Sequence, residues 1–191
     1  MSYATMKLNI GCGLNKVPGY INIDKYSSCA PDLVMDAEMF PWPFETGQVE
    51  EVLFNHSLEH MGKDTNVFLG IIQELYRVCK HGAKVQINVP HPRHDDFIND
   101  PSHVRIITPE MMALFSKKQC LHWQQERRPN TPFALYLDVD FEATDCKHVL
   151  SERYQSMFMS GELCEEEIDE AVIEKNNVIA TTLITLNVIK T

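Results

Sequence analysis

The sequence predicts an α/β fold: a mostly parallel sheet with helices on both faces and an antiparallel strand pair at its C-terminal end. Three observations carry this. Four or five short apolar runs lie before Pro90, each ending in a Gly or a polar residue. One long stretch among them, Asp64 to Lys80, repeats its apolar residues at helical spacing. Two alternating runs, Phe133 to Val149 and Asn177 to Lys190, close the chain. Strands joined by a crossover of helix length run parallel, which sets the sheet type.

Met6 to Ile10 is the first strand and stops at Gly11. Tyr20 to Asp24 alternates and ends at an acid; Asp32 to Asp36 is short, apolar and ends at another. Val49 to Asn55 is the fourth run. The helix follows, with Val67, Phe68, Ile71, Ile72, Leu75 and Val78 on one face, Asp64 or Thr65 at its cap, and Gly82 just past its end. Ala83 to Val89 is the next strand, stopped by Pro90. His91 to Arg105 is a polar loop. Thr108-Pro109 starts a helix running to about Lys118, with Thr as cap and Pro at the first position. Between the two last strands, Ser151 to Lys175 carries an acidic helix from Cys164 onward.

The 191 residues suit one domain with a substantial core. At 44% hydrophobic and 23% charged residues the composition is that of an ordinary globular protein. No apolar run has the length of a membrane span. Met1 to Lys7 lacks the basic start and apolar stretch of a secretory signal, so a cytoplasmic protein with no membrane partner is expected. A net charge of −10 disfavours nucleic acid, whose phosphates need many Lys and Arg to neutralise them. The six cysteines include no C-x-x-C pair and read as reduced thiols.

In a parallel sheet, ligands bind beyond the carboxyl ends of the strands. The strand ends here are Gly11, Asp24, Asp36, Asn55 and Pro90-His91, which argues for one shared site. The turn Gly11-Cys12-Gly13 lets backbone approach a ligand closely. Asp24 can accept both hydroxyls of a ribose. Asp36 can accept an exocyclic amine of adenine, and Ala37 can offer its N–H to the same ring.

These residues resemble a family. Leu8-Asn9-Ile10-Gly11-Cys12-Gly13, Pro18-Gly19-Tyr20-Ile21-Asn22-Ile23-Asp24, Pro41-Trp42-Pro43-Phe44, Leu58-Glu59-His60 and Asp100-Pro101-Ser102-His103-Val104-Arg105 look like class I S-adenosylmethionine-dependent methyltransferases. More narrowly, they are similar to a group of small predicted methyltransferases. The resemblance covers about the first 110 residues. The chain as a whole is expected to be a single Rossmann-like domain, 1–191, with 91–106 as a substrate-side loop and about 151–176 as a helical insertion. The resemblance implies the methyltransferase activity. It implies S-adenosyl-L-methionine as cofactor, bound by Gly11, Cys12, Gly13, Asp24, Asp36, Ala37, Asn55 and His56. Two departures stand out: Asn9 occupies a position that is commonly acidic, and the link from Gly13 to Tyr20 is too short for a full crossover helix. A dinucleotide fits less well, because its pyrophosphate needs a helix N-terminus behind the glycine turn and Pro18-Gly19 interrupts that region.

The expected activity is methyl transfer to a small-molecule or carbohydrate-like acceptor. A base is needed only if the acceptor loses a proton on attack. His91 and His103 are the candidates, with Asp95, Asp96 or Asp100 as orienting partners; Arg105 suits an anionic substrate group or an acid of its own loop. Two rival readings use the same residues. One is a Rossmann-like module that binds the cofactor without transfer. The other is a metal-dependent hydrolase built on the loop's three His and three Asp, although their spacings match no standard zinc pattern. No metal ligand is assigned. His56 and His60, at helical spacing, suit a ligand pair; the Glu59-His60 motif reads better as fixing the segment after it. Trp42 and Phe44 suit either core packing or an adenine edge.

Overall fold

A computed structural model describes residues 6–190. Met1 to Thr5, part of the segment read for a targeting signal, lie outside the described residues. Seven strands form one sheet: β1 (Met6–Ile10), β2 (Ile21–Asp24), β3 (Leu33–Val34), β4 (Val49–Asn55), β5 (Cys79–Pro90), β6 (Phe141–Leu150) and β7 (Ile179–Val188). Their order is β3-β2-β1-β4-β5-β7-β6. The pairs from β3 to β5 are parallel, and β7 runs antiparallel to both β5 and β6. The fold class expected from the sequence is the one observed: a mostly parallel sheet with helices around it and an antiparallel C-terminal pair.

Register explains the core. Leu8, Val52, Val85 and Leu186 lie side by side across four strands, and Ile10, Phe54, Ile87 and Ile184 form the next row. All eight are at most 1% exposed. Helix α1 (Thr65–Val78) packs into the same cluster through Phe68, Ile71, Ile72, Leu75 and Val78. Asp64 caps it by accepting the Asn66 amide. At about 25 cal/mol per Å² of apolar area, these rows dominate stability. On the opposite face of the sheet, Glu51 instead accepts from Lys7 (2.7 Å) and Gln86 (2.6 Å).

Three elements differ from expectation. Helix α1 ends at Val78, and Cys79 already belongs to β5. The polar loop after β5 contains a short helix, α2 (Asp95–Ile98), and the helix expected from Thr108 to Lys118 is two, α3 (Pro109–Ala113) and α4 (Lys117–Gln125). The break has a cause: Ser116 caps α4 by accepting the Gln119 amide. Phe133 to Leu137, expected as strand, is helix α5. Its alternating apolar residues also satisfy a one-turn helix, and stacking of Phe133 on Phe115 selects that form. The 151–176 excursion holds α6 (Glu152–Met159) and α7 (Glu165–Glu174), which share a small core of Tyr154, Ile168, Ala171 and Val178.

Candidate functional site

The strand order reverses between β1 and β4, and ligands of such sheets bind at that reversal. A cavity of about 370 Å³ opens there, within the roughly 300–1,000 Å³ of small-molecule sites. Of the residues expected at a cofactor site, it brings together Gly11, Gly13, Asp24, Asp36, Ala37 and His56. Cys12 and Asn55 do not line it. Cys12 is buried, and burial pushes its thiol up. Asn55 accepts from Asn88 at 3.1 Å.

The glycine turn is built from β2. The amides of Gly11 and Cys12 both donate to the Ile23 carbonyl at 2.9 Å. The Gly13 amide donates to Asp24 Oδ2 at 2.8 Å, and the Tyr26 amide to Oδ1 at 2.9 Å. The carboxylate is thereby fixed, and each oxygen keeps a lone pair for a ligand. No amide of the turn is left over for a phosphate, and no helix follows it. This turn supports its neighbour strand and is not an anion cradle. Gly11 has φ +71°, and a Cβ there would lie 2.5 Å from Ser57 Cβ. Only glycine allows that approach, which lets Ser57 Oγ donate to the Ile10 carbonyl at 2.7 Å.

Asn9 is not at the cavity. Its amide group donates to Asn22 Oδ1 (2.9 Å) and to the Asn15 carbonyl (3.1 Å). Asn22 Oδ1 also accepts the Val17 amide, and Asn22 Nδ2 reaches Asp32 at 2.8 Å. The two motif asparagines therefore hold the short 13–20 link against the sheet.

The Asp36–Ala37 side of the cavity is held from α1. Asp36 Oδ1 accepts the Glu38 amide at 3.0 Å. Trp42 is buried in the core, and its indole N–H donates to the Ala37 carbonyl at 3.0 Å. Its own backbone is held by Glu74 and Arg77, which pair with each other at 2.7 Å. The Arg77 guanidinium keeps the Glu74 carboxyl below its usual range.

The far end of the cavity is made of His56, Ser57, His60, Met61 and Ser102. His56 adopts a left-handed backbone (φ +51°), uncommon for a non-glycine residue. Burial lowers the His56 and His60 pKa values. The Leu58–His60 turn is fixed by Val104 and Arg105, whose amides both donate to the Glu59 carbonyl. Behind it sit Glu59, 1% exposed, and His103, whose Nδ1 donates to the Phe97 carbonyl at 2.9 Å. Burial raises the Glu59 carboxyl to about 7.

The two histidines expected to be catalytic are not on the cavity wall. His103 stands one layer behind it, against His60. His91 lies apart, edge-on to His148 and beside Arg93 and Asn177. Arg105 binds the Gly62 carbonyl and lies 4.3 Å over the Phe68 ring, so it braces a turn. The sequence reading passed over Tyr26, Ser57, His60 and Ser102 as lining residues. Ser57 and His60 had a signal, because they continue the same turn beyond β4 as His56.

Solved structures share this fold. A SAM-dependent methyltransferase from Archaeoglobus fulgidus matches with TM-score 0.61 at 16% identity, over 96% of this chain and 86% of that one. The [4+2]-cyclase SpnF matches with TM-score 0.56 at 15% identity, over 98% and 76%. Geranyl diphosphate methyltransferase in complex with SAM matches with TM-score 0.52 at 12% identity, over 98% and 79%. The fold is one found in SAM-dependent methyltransferases. At these identities the likeness shows the fold alone. No protein-family model matches the chain, and no curated protein sequence does either. Among the described residues, no helix is long and apolar enough to cross a membrane.

Proposed function

We propose that the protein is an S-adenosylmethionine-dependent methyltransferase acting on a small-molecule or carbohydrate-like acceptor. One observation carries the reading: Asp24, at the end of β2, is held by the Gly13 and Tyr26 amides on the wall of the cavity. A carboxylate so placed accepts the two ribose hydroxyls of an adenosyl group. Asp36 and Ala37 meet the adenine, and Gly11 and Gly13 leave room for the ribose and methionine. The glycine turn's occupied amides favour a sulfonium cofactor over a pyrophosphate. Asn55 and Cys12, behind this wall, support it and do not touch the ligand.

Methyl transfer is a direct displacement, and alignment of donor and acceptor supplies about 7–11 kcal/mol in the ideal case. Two imidazoles line the cavity; His60 Nδ1 is paired with Ser102, and His56 is the candidate to take a proton from a hydroxyl acceptor. His91 lies outside this site, and His103 stands behind its wall. One neighbouring fold is named a cyclase, which favours keeping a second reading: a chain that binds the cofactor and does not transfer its methyl group. Incubation with methyl-labelled S-adenosylmethionine and fractionated cell extract separates the readings. Label in the small-molecule fraction supports the proposal. Cofactor binding with no labelled product in any fraction supports the second reading.

A further inference from the structure

Three side chains at the far end of the cavity form a cluster of a different kind. Ligand atoms of Glu59, His60 and His103 all lie within 4.8 Å of one another. Neither Glu59 oxygen has a hydrogen-bond partner, although the residue is 1% exposed. A buried carboxylate without partners is costly, and proteins normally pair it or give it a cation. Two imidazoles stand nearby: Oε1 lies 4.0 Å from His103 Nε2 and 3.8 Å from His56 Nδ1. Both distances are too long for a hydrogen bond.

The outer contacts have the pattern of a ligand set. His103 Nδ1 is committed to the Phe97 carbonyl, which fixes the tautomer and leaves the Nε2 lone pair 4.0 Å from Glu59 Oε1 and 3.8 Å from Asp100 Oδ2. Two acceptors therefore face each other across a gap that a cation would satisfy. His60 Nδ1 is held by Ser102 Oγ at 3.0 Å, which leaves its Nε2 free. Ser102 is itself fixed, its hydroxyl donating to Asp100 Oδ1 at 2.5 Å. Metal-binding histidines characteristically spend their other ring nitrogen in this way. The carboxylate is buried and the His103 side chain is 8% exposed, whereas His60 and Ser102 reach the cavity, so an ion would have protein ligands on one side and the cavity on the other.

We propose that Glu59, His60 and His103 bind one divalent transition-metal ion at the wall of the cavity. Two imidazoles and one carboxylate suit Zn²⁺ and its neighbours, with bonds of about 2.0–2.2 Å, so binding contracts the cluster by roughly 1 Å. The open coordination position faces the cavity, where the ion would bind an oxygen of a ligand held there. The site stands on its own residues and does not depend on the cofactor reading.

The test is titration of metal-free protein with ZnCl₂ by calorimetry and with CoCl₂ by visible absorption. The expected result is one ion per chain, with d–d bands of cobalt bound to nitrogen and oxygen. Glu59→Gln and His103→Ala should each weaken binding at least 100-fold, and His148→Ala, at the separate His91 pair, should leave it unchanged. Glu59→Gln keeps the shape of the side chain and should melt cooperatively, without the metal-induced rise in Tm that the unaltered protein shows. Binding only in the millimolar range overturns the proposal. So does an affinity that Glu59→Gln leaves intact, or a loss on His148→Ala.

Discussion

The Gly13 amide donates to Asp24 Oδ2 at 2.8 Å, joining the turn after β1 to the end of β2. The glycine turn and the acid eleven residues later are thus one structural unit. Either residue altered alone should disturb both.

The two glycines of the turn should respond differently. At Gly11 an alanine meets Ser57 at 2.5 Å with φ +71°, so Gly11→Ala combines a left-handed backbone with overpacking and should cost about 2–5 kcal/mol. Gly13 has φ +49° and no atom within 4 Å of a new Cβ, so Gly13→Ala should cost only about 1–2 kcal/mol. Urea denaturation of the two variants checks the order; equal losses would refute the Ser57 contact as the cause.

Trp42 should influence ligand binding from within the core. Trp42→Phe keeps most of the apolar bulk and removes the donor to the Ala37 carbonyl. We expect a stability loss of about 1–3 kcal/mol, since a buried carbonyl loses its partner. Affinity for an adenosyl ligand should fall as well, because Ala37 is on the wall. Measuring both distinguishes this from Trp42 packing directly on the adenine, which would lower affinity far more than stability.

The Glu74–Arg77 pair sets a pH dependence. The folded Glu74 carboxyl is held below its unfolded value, chiefly by hydrogen bonds from Arg77. Its contribution is therefore complete above the unfolded pKa and is lost as pH falls through the folded one. Glu74→Gln should be less stable than the parent at neutral pH by about 1–2 kcal/mol, with a gap that closes in acid. Denaturant melts at pH 7 and at pH 3 read this directly. A gap that widens in acid would contradict the assignment.

Much of the sheet was legible because buried parallel strands must be apolar and must end where the ligand begins. Gly11, Asp24 and Asp36 each announced a strand end, and the cavity gathers all three. Asn9 looked like a departure from pattern; with Asn22 it replaces the missing crossover helix by a hydrogen-bonded link. The far end of the cavity was less legible. His60 and Ser102 are 42 residues apart, and no periodicity pairs two loops that meet through backbone bonds to Glu59. The alternation at Phe133 to Leu137 misled for a related reason, since packing on Phe115 decides that segment. His91 followed β5 in sequence, yet its amide bonds to the Ala180 carbonyl and carries it toward β7, away from the cavity.

The central claim is that Asp24 binds the ribose of an adenosyl cofactor. Titration calorimetry with S-adenosylhomocysteine, on the parent and on Asp24→Ala, tests it most directly. Two hydrogen bonds to a charged group are worth about 3 kcal/mol or more together, so the account predicts micromolar binding by the parent and a loss of about 100-fold in the variant. No heat of binding from the parent, or equal affinity in the two proteins, would contradict it.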